Sequence, residues 1–285
     1  MAETIGRFAP TPSGDLHFGS LVAAVGSFLS AKAKRGRWLL RIEDIDLPRV
    51  VRGSSDRILK QLEAFSLFYD GEVLYQSKRI AAYCEALSAI EKLGLLYECR
   101  CSRKTQRIHQ NFCPAPIDGR IKPSIRIKTA DSEIFFKDRL SGGFSQNLLR
   151  EVGDFVLLRA DGIFTYQLAV VVDDEYSGVT EVVRGRDLLD STPRQIYLQR
   201  ALKYREIGYA HLPLVLGSDG NKLSKQNLAE AIDIKNGSEV LVKALRFLGF
   251  KTPIELKYET TEAILAWALK NCQQLAWLLD DKVGE

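Results

Sequence analysis

A segment near the start of the chain, Arg7 to Ser20, carries residues that suit phosphate binding. Gly14 and Gly19 let the backbone approach a ligand closely, and His17 can donate a hydrogen bond to a phosphate oxygen. The segment lies where a predicted strand ends and a predicted helix begins, and a helix N-terminus presents unpaired N–H groups to anions. Two prolines and two glycines alone would indicate only a turn, but the whole string predicts a nucleotide-binding crevice.

A second segment with phosphate chemistry lies far along the chain, at Lys222 to Gln226. Its two lysines, Lys222 and Lys225, follow the turn Gly217-Ser218-Asp219-Gly220. Such a pair on a glycine-flanked loop can close over a triphosphate and neutralise the charge that develops as pyrophosphate leaves. In isolation the segment would indicate an exposed lysine loop.

The composition is that of an ordinary globular protein, with 285 residues of which 46% are apolar and 27% charged. It excludes disordered, collagen-like and fibrous chains. The longest apolar stretch, Leu21 to Leu29, is shorter than the roughly 18 residues that a membrane span needs. The first residues do not resemble a secretion signal. We therefore expect a cytoplasmic protein with no membrane partner, whose five cysteines do not form a disulfide framework.

The net charge of +4 is too small to indicate nucleic-acid binding, but the charge is unevenly distributed. Between Cys99 and Lys128, eight cations stand against one acid, Asp118. Such a segment attracts phosphates and predicts contacts that position an RNA without reading its bases. The alternative is a solvated loop.

Strand-like and helix-like patterns alternate over the first hundred residues. Strands are predicted at Thr4 to Ala9 and Trp38 to Ile42, and helices at Leu21 to Lys34, after a cap at Ser54 or Ser55, and along Ile80 to Ile90. Nearly continuous apolar strands separated by helices indicate a parallel sheet covered on both faces.

The alternation stops at the basic, cysteine-bearing segment and resumes near Gly153. Strands are predicted at Phe155 to Leu158 and Tyr166 to Val172, and helices after Thr192, at Val240 to Leu248 and at Ile264 to Leu279. The predicted α/β fold therefore has two halves of a nucleotide-binding domain, 1–98 and 151–210, with an inserted subdomain at 99–150 and a lysine loop and helical region at 211–285.

Taken together, the two phosphate-binding segments resemble the HIGH and KMSKS motifs of class I aminoacyl-tRNA synthetases, here as His17-Phe18-Gly19-Ser20 and Lys222-Leu223-Ser224-Lys225-Gln226. Three further strings resemble the glutamyl/glutaminyl branch of that family: Arg41 to Asp46, Leu168 to Asp174 and Val183 to Leu188. The resemblance spans about residues 3 to 236 and implies a Rossmann-type catalytic domain with an inserted zinc-bearing subdomain.

Only 49 residues follow Asn236, too few for the large anticodon-binding region of glutamyl-tRNA synthetases. The chain therefore resembles a truncated paralogue that activates glutamate without tRNA and attaches it to the queuosine base of tRNA(Asp). The implied partners are ATP with Mg²⁺, L-glutamate and tRNA(Asp) bearing queuosine, and we expect a monomer. The alternatives are a minimal glutamyl-tRNA synthetase that charges the 3′ end of a tRNA, and a non-catalytic RNA-binding paralogue.

The resemblance also implies which residues bind glutamate. This substrate brings two carboxylates and one ammonium, so its pocket needs cations and an anion. Arg7 would hold a carboxylate, Glu43 the ammonium, and Tyr166 and Arg184 would complete the pocket. The full implied set is Arg7, Phe8, Ala9, Pro10, Thr11, Glu43, Tyr166 and Arg184. For Arg7 and Glu43, the alternative is an exposed ion pair.

The implied catalytic residues are His17, Lys222 and Lys225, and ATP would contact His17, Gly19, Ser20 and Lys225. Phosphoryl chemistry depends mainly on positioning and charge stabilisation, so no protein nucleophile is needed. Asp44 and Asp46 are weaker candidates, which could orient Arg7 or the acceptor.

A zinc site is implied by Cys99, Cys101 and Cys113, which resemble the site that many family members carry in the inserted subdomain. A tetrahedral site needs four ligands, and His109 stands where the family often has a tyrosine. We expect one structural zinc ion; the alternative is three reduced cysteines and a surface histidine. The remaining cysteines, Cys84 and Cys272, are expected in the core, and His211 is expected to be a packed or capping histidine.

Overall fold

A parallel sheet lies at the centre of the computed structural model, which describes residues 3–101, 109–113, 121–215 and 231–279. β1 (Ile5–Phe8), β2 (Arg37–Ile42) and β3 (Leu74–Tyr75) are neighbours in that order. On the other side of β1, Thr180 donates its backbone N–H to the carbonyl oxygen of Ile5 at 2.9 Å. This contact places β9 (Glu181–Gly185) beside β1, and β10 (Gly208–Leu212) pairs with β9, again in parallel. The parallel sheet and its first two predicted strands are confirmed.

Helices cover both faces of the sheet, as predicted. Alternate residues of β1 point to opposite faces, so Phe8 and Ile5 belong to different buried clusters. The Phe8 side packs against α1 (Phe18–Ala33), α2 (Ser54–Ala64), α7 (Gly237–Leu248), α8 (Thr261–Lys270) and α9 (Ala276–Leu279). The Ile5 side packs against α3 (Ile80–Lys92), α5 (Tyr166–Tyr176) and α6 (Thr192–Leu202). Arg7, two residues after Ile5, shares the face that α5 covers.

Residues 166–172 lie in a helix, so the strand predicted there is wrong. α5 begins after Thr165, whose backbone is extended, and every residue from Leu168 to Asp174 is buried. A helix that is buried all round has no polar face, so its apolar run resembles that of a central strand. The acids Asp173 and Asp174 therefore project from a helix packed on the sheet, not from the end of a strand.

Residues between the two halves of the central sheet form two smaller units. β4 (Leu96–Cys99), β5 (Ser124–Ile127) and β8 (Phe155–Leu158) make an antiparallel sheet, so the strand predicted at Phe155 to Leu158 is confirmed. β6 (Glu133–Asp138) and β7 (Gly142–Asn147) form a hairpin that is followed by α4 (Leu148–Glu151). β6 also pairs in parallel with β10, at Asp138 and Tyr209, and so extends the central sheet.

Some helix ends differ from the prediction. Gly53, with a φ of 73°, caps α2, while Ser54 Oγ donates to the carbonyl oxygen of Gly14 at 2.6 Å and accepts its N–H at 3.0 Å. Ser54 thus binds the backbone of Gly14 to the start of α2 instead of capping the helix. The helix predicted at Ile264 to Leu279 is interrupted after α8, where the Asn271 side chain donates to the carbonyl oxygen of Trp267 at 2.9 Å.

The two remaining cysteines differ in burial. Cys84 is exposed, so its predicted place in the core is wrong, because α3 turns Tyr83, Ala86 and Ile90 inward instead. Cys272 is partly buried. The helix predicted after Thr192 is confirmed as α6, with Pro193 in its first turn. In the part of the chain that the structure describes, no helix is both long and apolar enough to cross a membrane.

A first prediction concerns Gly36, which lies between α1 and β2. A Cβ atom there would clash with the backbone oxygen of Thr4, the atom that accepts the N–H of Arg37 at 2.9 Å. We expect Gly36→Ala to lower the free energy of unfolding by about 2 kcal/mol or more, because the first β1–β2 hydrogen bond must open. Gly237→Ala is the matched control, since its Cβ would meet Thr261 at an ordinary 3.5 Å. Equal denaturation midpoints for the two variants would contradict this expectation.

Candidate active site and metal centre

A cavity of about 750 Å³ opens at the carboxyl ends of β1, β2, β9 and β10. This edge is where parallel α/β sheets bind ligands. The predicted site residues on its lining are Arg7, Phe8, Ala9, Pro10, Thr11, His17, Gly19, Ser20, Glu43, Tyr166 and Arg184. The structure therefore brings every residue of the predicted glutamate-binding set together with three of the predicted ATP-binding residues. The other predicted residues, Lys222 and Lys225, lie outside the described residues.

One carboxylate, Asp174, holds two arginines beside the cavity. Arg7 donates from Nε and one terminal nitrogen to the two Asp174 oxygens, at 3.3 and 3.4 Å, and Arg41 donates to Oδ1 at 2.6 Å. The three side chains are only 3–5% exposed. Burial alone would raise the pKa of Asp174, but the two guanidinium groups hold it below its usual range. Asp174 is therefore ionised and fixes both arginines.

Glu43 follows β2 and lines the cavity with 9% of its surface exposed. Its Oε1 accepts a hydrogen bond from Arg41 at 3.4 Å, and its backbone N–H donates to the carbonyl oxygen of Pro10 at 3.0 Å. Burial raises the pKa of the Glu43 carboxyl, although Arg41 and Arg7 oppose the shift. A cationic ligand group beside Glu43 would favour its ionised form.

Arg184, near the end of β9, is held in place from several sides. Its Nη1 donates to the Tyr166 hydroxyl at 3.1 Å, and Nη2 donates to Thr192 Oγ1 at 2.8 Å and to the carbonyl oxygen of Leu188 at 3.3 Å. Tyr166 is the first residue of α5, so a helix start brings its hydroxyl to the end of β9. These contacts fix the plane of the guanidinium, and Arg184 is one of the residues that line the cavity.

His17 is the N-cap of α1. Its Nδ1 accepts the backbone N–H of Ser20 at 3.3 Å. A neutral imidazole that accepts at Nδ1 carries its proton on Nε2, which is the form that can donate to a phosphate oxygen. The cap therefore sets the tautomer of His17 as well as the start of the helix.

Arg41 and Asp174 are site residues that the sequence did not reveal. Asp44 accepts the N–H and hydroxyl of Ser77 at 2.8 and 2.7 Å, and Asp46 pairs with Arg49 at 2.8 Å and with Arg159 at 3.5 Å. Arg7 is instead oriented by Asp174, and a role of Asp44 or Asp46 toward the acceptor stays a prediction. The available signal was the acid pair at the end of the apolar run of α5. Charge alone could not indicate that its partner is Arg7, 167 positions away.

The four predicted metal ligands form one cluster. The candidate donor atoms of Cys99, Cys101, His109 and Cys113 all lie within 4.8 Å of one another. Cys99 Sγ is 3.4 Å from His109 Nε2, and Cys101 Sγ is 3.6 Å from Cys113 Sγ. Burial and the neighbouring sulfurs raise the pKa of Cys101 to about 11, because crowded thiols resist ionising together. Three sulfurs and one imidazole make a donor set that could hold a metal ion.

Comparison with known proteins agrees with this geometry. The sequence matches the family described as tRNA synthetases class I (E and Q), catalytic domain, over residues 3–113 and 104–280. It is 51% identical to the glutamyl-Q tRNA(Asp) synthetase of Dechloromonas aromatica (strain RCB), covering 92% of each chain. It is 47% identical to the protein of the same name in Ectopseudomonas mendocina (strain ymp), covering 94% of this chain and 92% of that one.

The fold is similar to that of a solved glutamate-tRNA synthetase from Elizabethkingia anophelis, with a TM-score of 0.77 at 24% identity. The match covers 93% of this chain but 65% of that one, so the chain spans just under two thirds of the larger synthetase. At this identity the likeness concerns the fold alone, and it confirms the predicted Rossmann-type synthetase architecture. The chain therefore belongs to the class I tRNA synthetases of the glutamate and glutamine type, and within them to the glutamyl-Q tRNA(Asp) synthetases.

Proposed function

We propose that this chain activates glutamate with ATP, without tRNA in that step, and transfers the glutamyl group to the queuosine base of tRNA(Asp). The observation that carries the proposal is that Arg7, Glu43, Arg184 and the turn from His17 to Ser20 line one and the same cavity. Cations for carboxylates, an anion for an ammonium and a helix N-terminus for phosphate are thereby available to one bound molecule. The names of the relatives support queuosine in tRNA(Asp) as the acceptor.

Glutamate recognition would rest on the two arginines. Among the described residues Arg7 makes its hydrogen bonds to Asp174, through Nε and one terminal nitrogen, so its other terminal nitrogen is available to a substrate carboxylate. Arg184 and the Tyr166 hydroxyl would complete the pocket, and Glu43 would accept the α-ammonium. Glutamine would be rejected because its amide brings no charge to the Arg184 guanidinium, which is buried and forms no ion pair among the described residues.

The reaction would have two steps. An oxygen of the glutamate α-carboxylate attacks the α-phosphorus of ATP, the bond to the β-phosphate bridging oxygen breaks, and pyrophosphate leaves. A queuosine hydroxyl then attacks the acyl carbon, loses its proton to solvent and releases AMP. ATP enters as its Mg²⁺ complex, whose cation neutralises phosphate charge. His17 Nε2–H and the N-terminal amides of α1 would stabilise the charge that develops on phosphate.

The lysine pair would complete the ATP site. Val215 lines the cavity, and Ala231 forms a backbone bridge with His17. These two described residues precede and follow the segment 216–230, which contains Lys222 and Lys225. We assign Lys225, supported by Lys222, to neutralising the departing pyrophosphate.

The proposed division of labour follows the predicted domains. Residues 1–98 and 151–210 would form the catalytic domain, 99–150 would bind the acceptor and the metal, and 211–285 would supply the lysine loop and helical support. We further propose a monomer that works in the cytoplasm, where ATP, glutamate and tRNA are available together.

Zinc suits the cysteine and histidine cluster. Thiolates and imidazole are the ligands that zinc prefers, and four protein ligands leave no open position for a substrate. The ion would join the end of β4, through Cys99, to residues 109–113, and its contribution would be cross-linking. The role we propose is therefore structural.

The direct test of the function is transfer of labelled glutamate to tRNA(Asp) with and without queuosine. We expect glutamate-dependent ATP–pyrophosphate exchange without any RNA, and transfer only to the queuosine-bearing tRNA. Transfer to tRNA(Asp) from a strain unable to make queuosine would contradict the proposed acceptor. Charging of the 3′ end of tRNA(Glu) would favour a minimal glutamyl-tRNA synthetase instead.

A second prediction separates the two tasks of His17. His17→Asn keeps a good N-cap for α1 but removes the ring N–H, whereas His17→Ala removes both. We expect both variants to slow ATP–pyrophosphate exchange by at least about tenfold. Only His17→Ala should lose stability, by about 1 kcal/mol. If His17→Asn exchanged at the parent rate, the ring would have no part in activation.

A third prediction concerns the metal. Purified without chelator, the chain should hold about one zinc per molecule, and Cys113→Ala should hold less than about a tenth. Cys84→Ala is the matched control, because Cys84 is exposed and lies outside the cluster. Zinc content below a tenth of an equivalent in the parent chain would contradict the proposed zinc site. ATP–pyrophosphate exchange should survive zinc loss better than transfer to tRNA, since Cys99, Cys101, His109 and Cys113 do not line the cavity.

A further inference from the structure

Two fully buried side chains outside the cavity, Asp138 and His211, form a chain of hydrogen bonds that ends on Arg184. His211 Nδ1 lies 2.6 Å from Asp138 Oδ2, and its Nε2 accepts from Arg184 Nε at 3.1 Å. Both side chains are 0% exposed. Asp138 ends β6, His211 lies in β10 and Arg184 lies in β9, so the chain crosses three neighbouring strands.

The charge states along this chain follow from its surroundings. Burial would raise the pKa of Asp138, but hydrogen bonds from His211 and from the backbone of Ser141 lower it, so the carboxylate is ionised. Burial lowers the pKa of His211, although Asp138 opposes the shift, so the ring is neutral. The other ionisable groups that act on the ring are Arg184 and Asp187, while the Tyr209 ring stacks on it at 6.1 Å.

A neutral ring between a carboxylate and a guanidinium has only one tautomer that satisfies both. Ionised Asp138 cannot donate, so the ring proton must be on Nδ1. Nε2 then carries a lone pair toward the Nε–H of Arg184. With the proton on Nε2 instead, that N–H would face the Nε–H of Arg184, and its one remaining acceptor among the described residues would be the Thr192 hydroxyl, 3.1 Å away, which already accepts from Arg184 Nη2.

We infer that Asp138 and His211 are positioning residues, which fix the guanidinium of Arg184 so that its free edge points at the glutamate carboxylate. The inference deepens the proposed function and rests on it. His211 holds Nε, while Thr192 and Leu188 hold Nη2. With these two nitrogens fixed, the planar group can direct only Nη1 toward Tyr166 and the substrate. The hairpin of β6 and β7 thereby takes part in amino-acid recognition although it lies outside the cavity.

The substitution Asp138→Asn is expected to change the tautomer of His211 while keeping the other contacts of residue 138. Asp138 Oδ1 accepts three backbone N–H groups, from Leu140 at 3.0 Å, Ser141 at 2.8 Å and His211 at 3.3 Å. In Asp138→Asn the amide nitrogen can therefore occupy only the Oδ2 position, where it donates to Nδ1. The ring proton must then move to Nε2 and oppose Arg184. The same exchange in a Ser-His-Asp triad keeps the geometry but gives the wrong tautomer.

The test combines enzyme kinetics with nitrogen-15 NMR of the His211 ring. We expect Asp138→Asn to raise KM for glutamate in ATP–pyrophosphate exchange by about tenfold or more, with KM for ATP changed less than about twofold. Nitrogen-15 NMR should place the His211 proton on Nδ1 in the parent chain and on Nε2 in the variant; with only three histidines, the signals can be assigned. Tyr209→Phe is the matched control, because it removes a buried hydroxyl that accepts from Gln199 but keeps the ring, which lies 5.3 Å from the Arg184 guanidinium and stacks on His211.

The outcomes are distinguishable. Normal exchange in the parent chain with an unchanged KM for glutamate in Asp138→Asn would overturn the inference alone. No glutamate-dependent exchange in the parent chain would overturn the proposed function and the inference with it. An Nε2 proton in the parent chain would also overturn the inference, and this measurement does not require the variant to fold. An equal rise in KM for glutamate and for ATP would indicate a general loss of structure and would count against positioning.

Discussion

The carboxylate of Asp174 is the interaction on which the site depends. It joins α5 to the ends of β1 and β2 by holding Arg7 and Arg41 at once, with all three side chains nearly excluded from water. Buried ion pairs are weak sources of stability, because desolvation offsets most of the attraction. Removing one partner is nevertheless costly, since a buried charge is left unpaired. The arrangement therefore fixes orientation more than it adds stability, and it presents Arg7 to the cavity in one pose.

A second acid, Asp138, does the same for Arg184 through the neutral ring of His211. Two of the arginines that line the cavity, Arg7 and Arg184, are thus oriented by buried carboxylates from different parts of the chain, one on α5 and one at the end of β6. Neither acid lines the cavity itself. Selection for a dicarboxylic substrate can therefore be altered by residues that never touch it.

Local signals in the sequence predicted the strand and helix that flank the segment Arg7 to Ser20, and the strand that follows them. β1, β2 and α1 were identifiable because prolines, glycines and apolar runs mark their limits within a few residues. The resemblance to a known family indicated the cysteine and histidine cluster, whose ligands are close in sequence. The resemblance to a known family supplied the residues of the glutamate pocket, which spacing alone could not have assembled.

The predictions that differ from the structure, and the contacts that the sequence did not predict, have physical causes. The apolar residues of Tyr166 to Val172 resemble a strand, because a helix buried on every side shows no period. A serine at position 54 or 55 is typical of a helix cap, and the true partner of Ser54, Gly14, is brought to it only by the tertiary fold. The pairings of Asp174 and of His211 likewise join distant segments, and nothing local in the sequence marks them.

For the proposed reaction to occur, glutamate and ATP must bind next to each other at the carboxyl ends of β1 and β9. The most direct measurement is a crystal structure of the chain with an unreactive glutamyl-adenylate mimic. We expect the side-chain carboxylate at Arg7 and Arg184, the ammonium at Glu43 and the phosphate beside the turn from His17 to Ser20. A mimic bound with its glutamyl group away from both arginines, or with its phosphate away from the start of α1, would contradict the account.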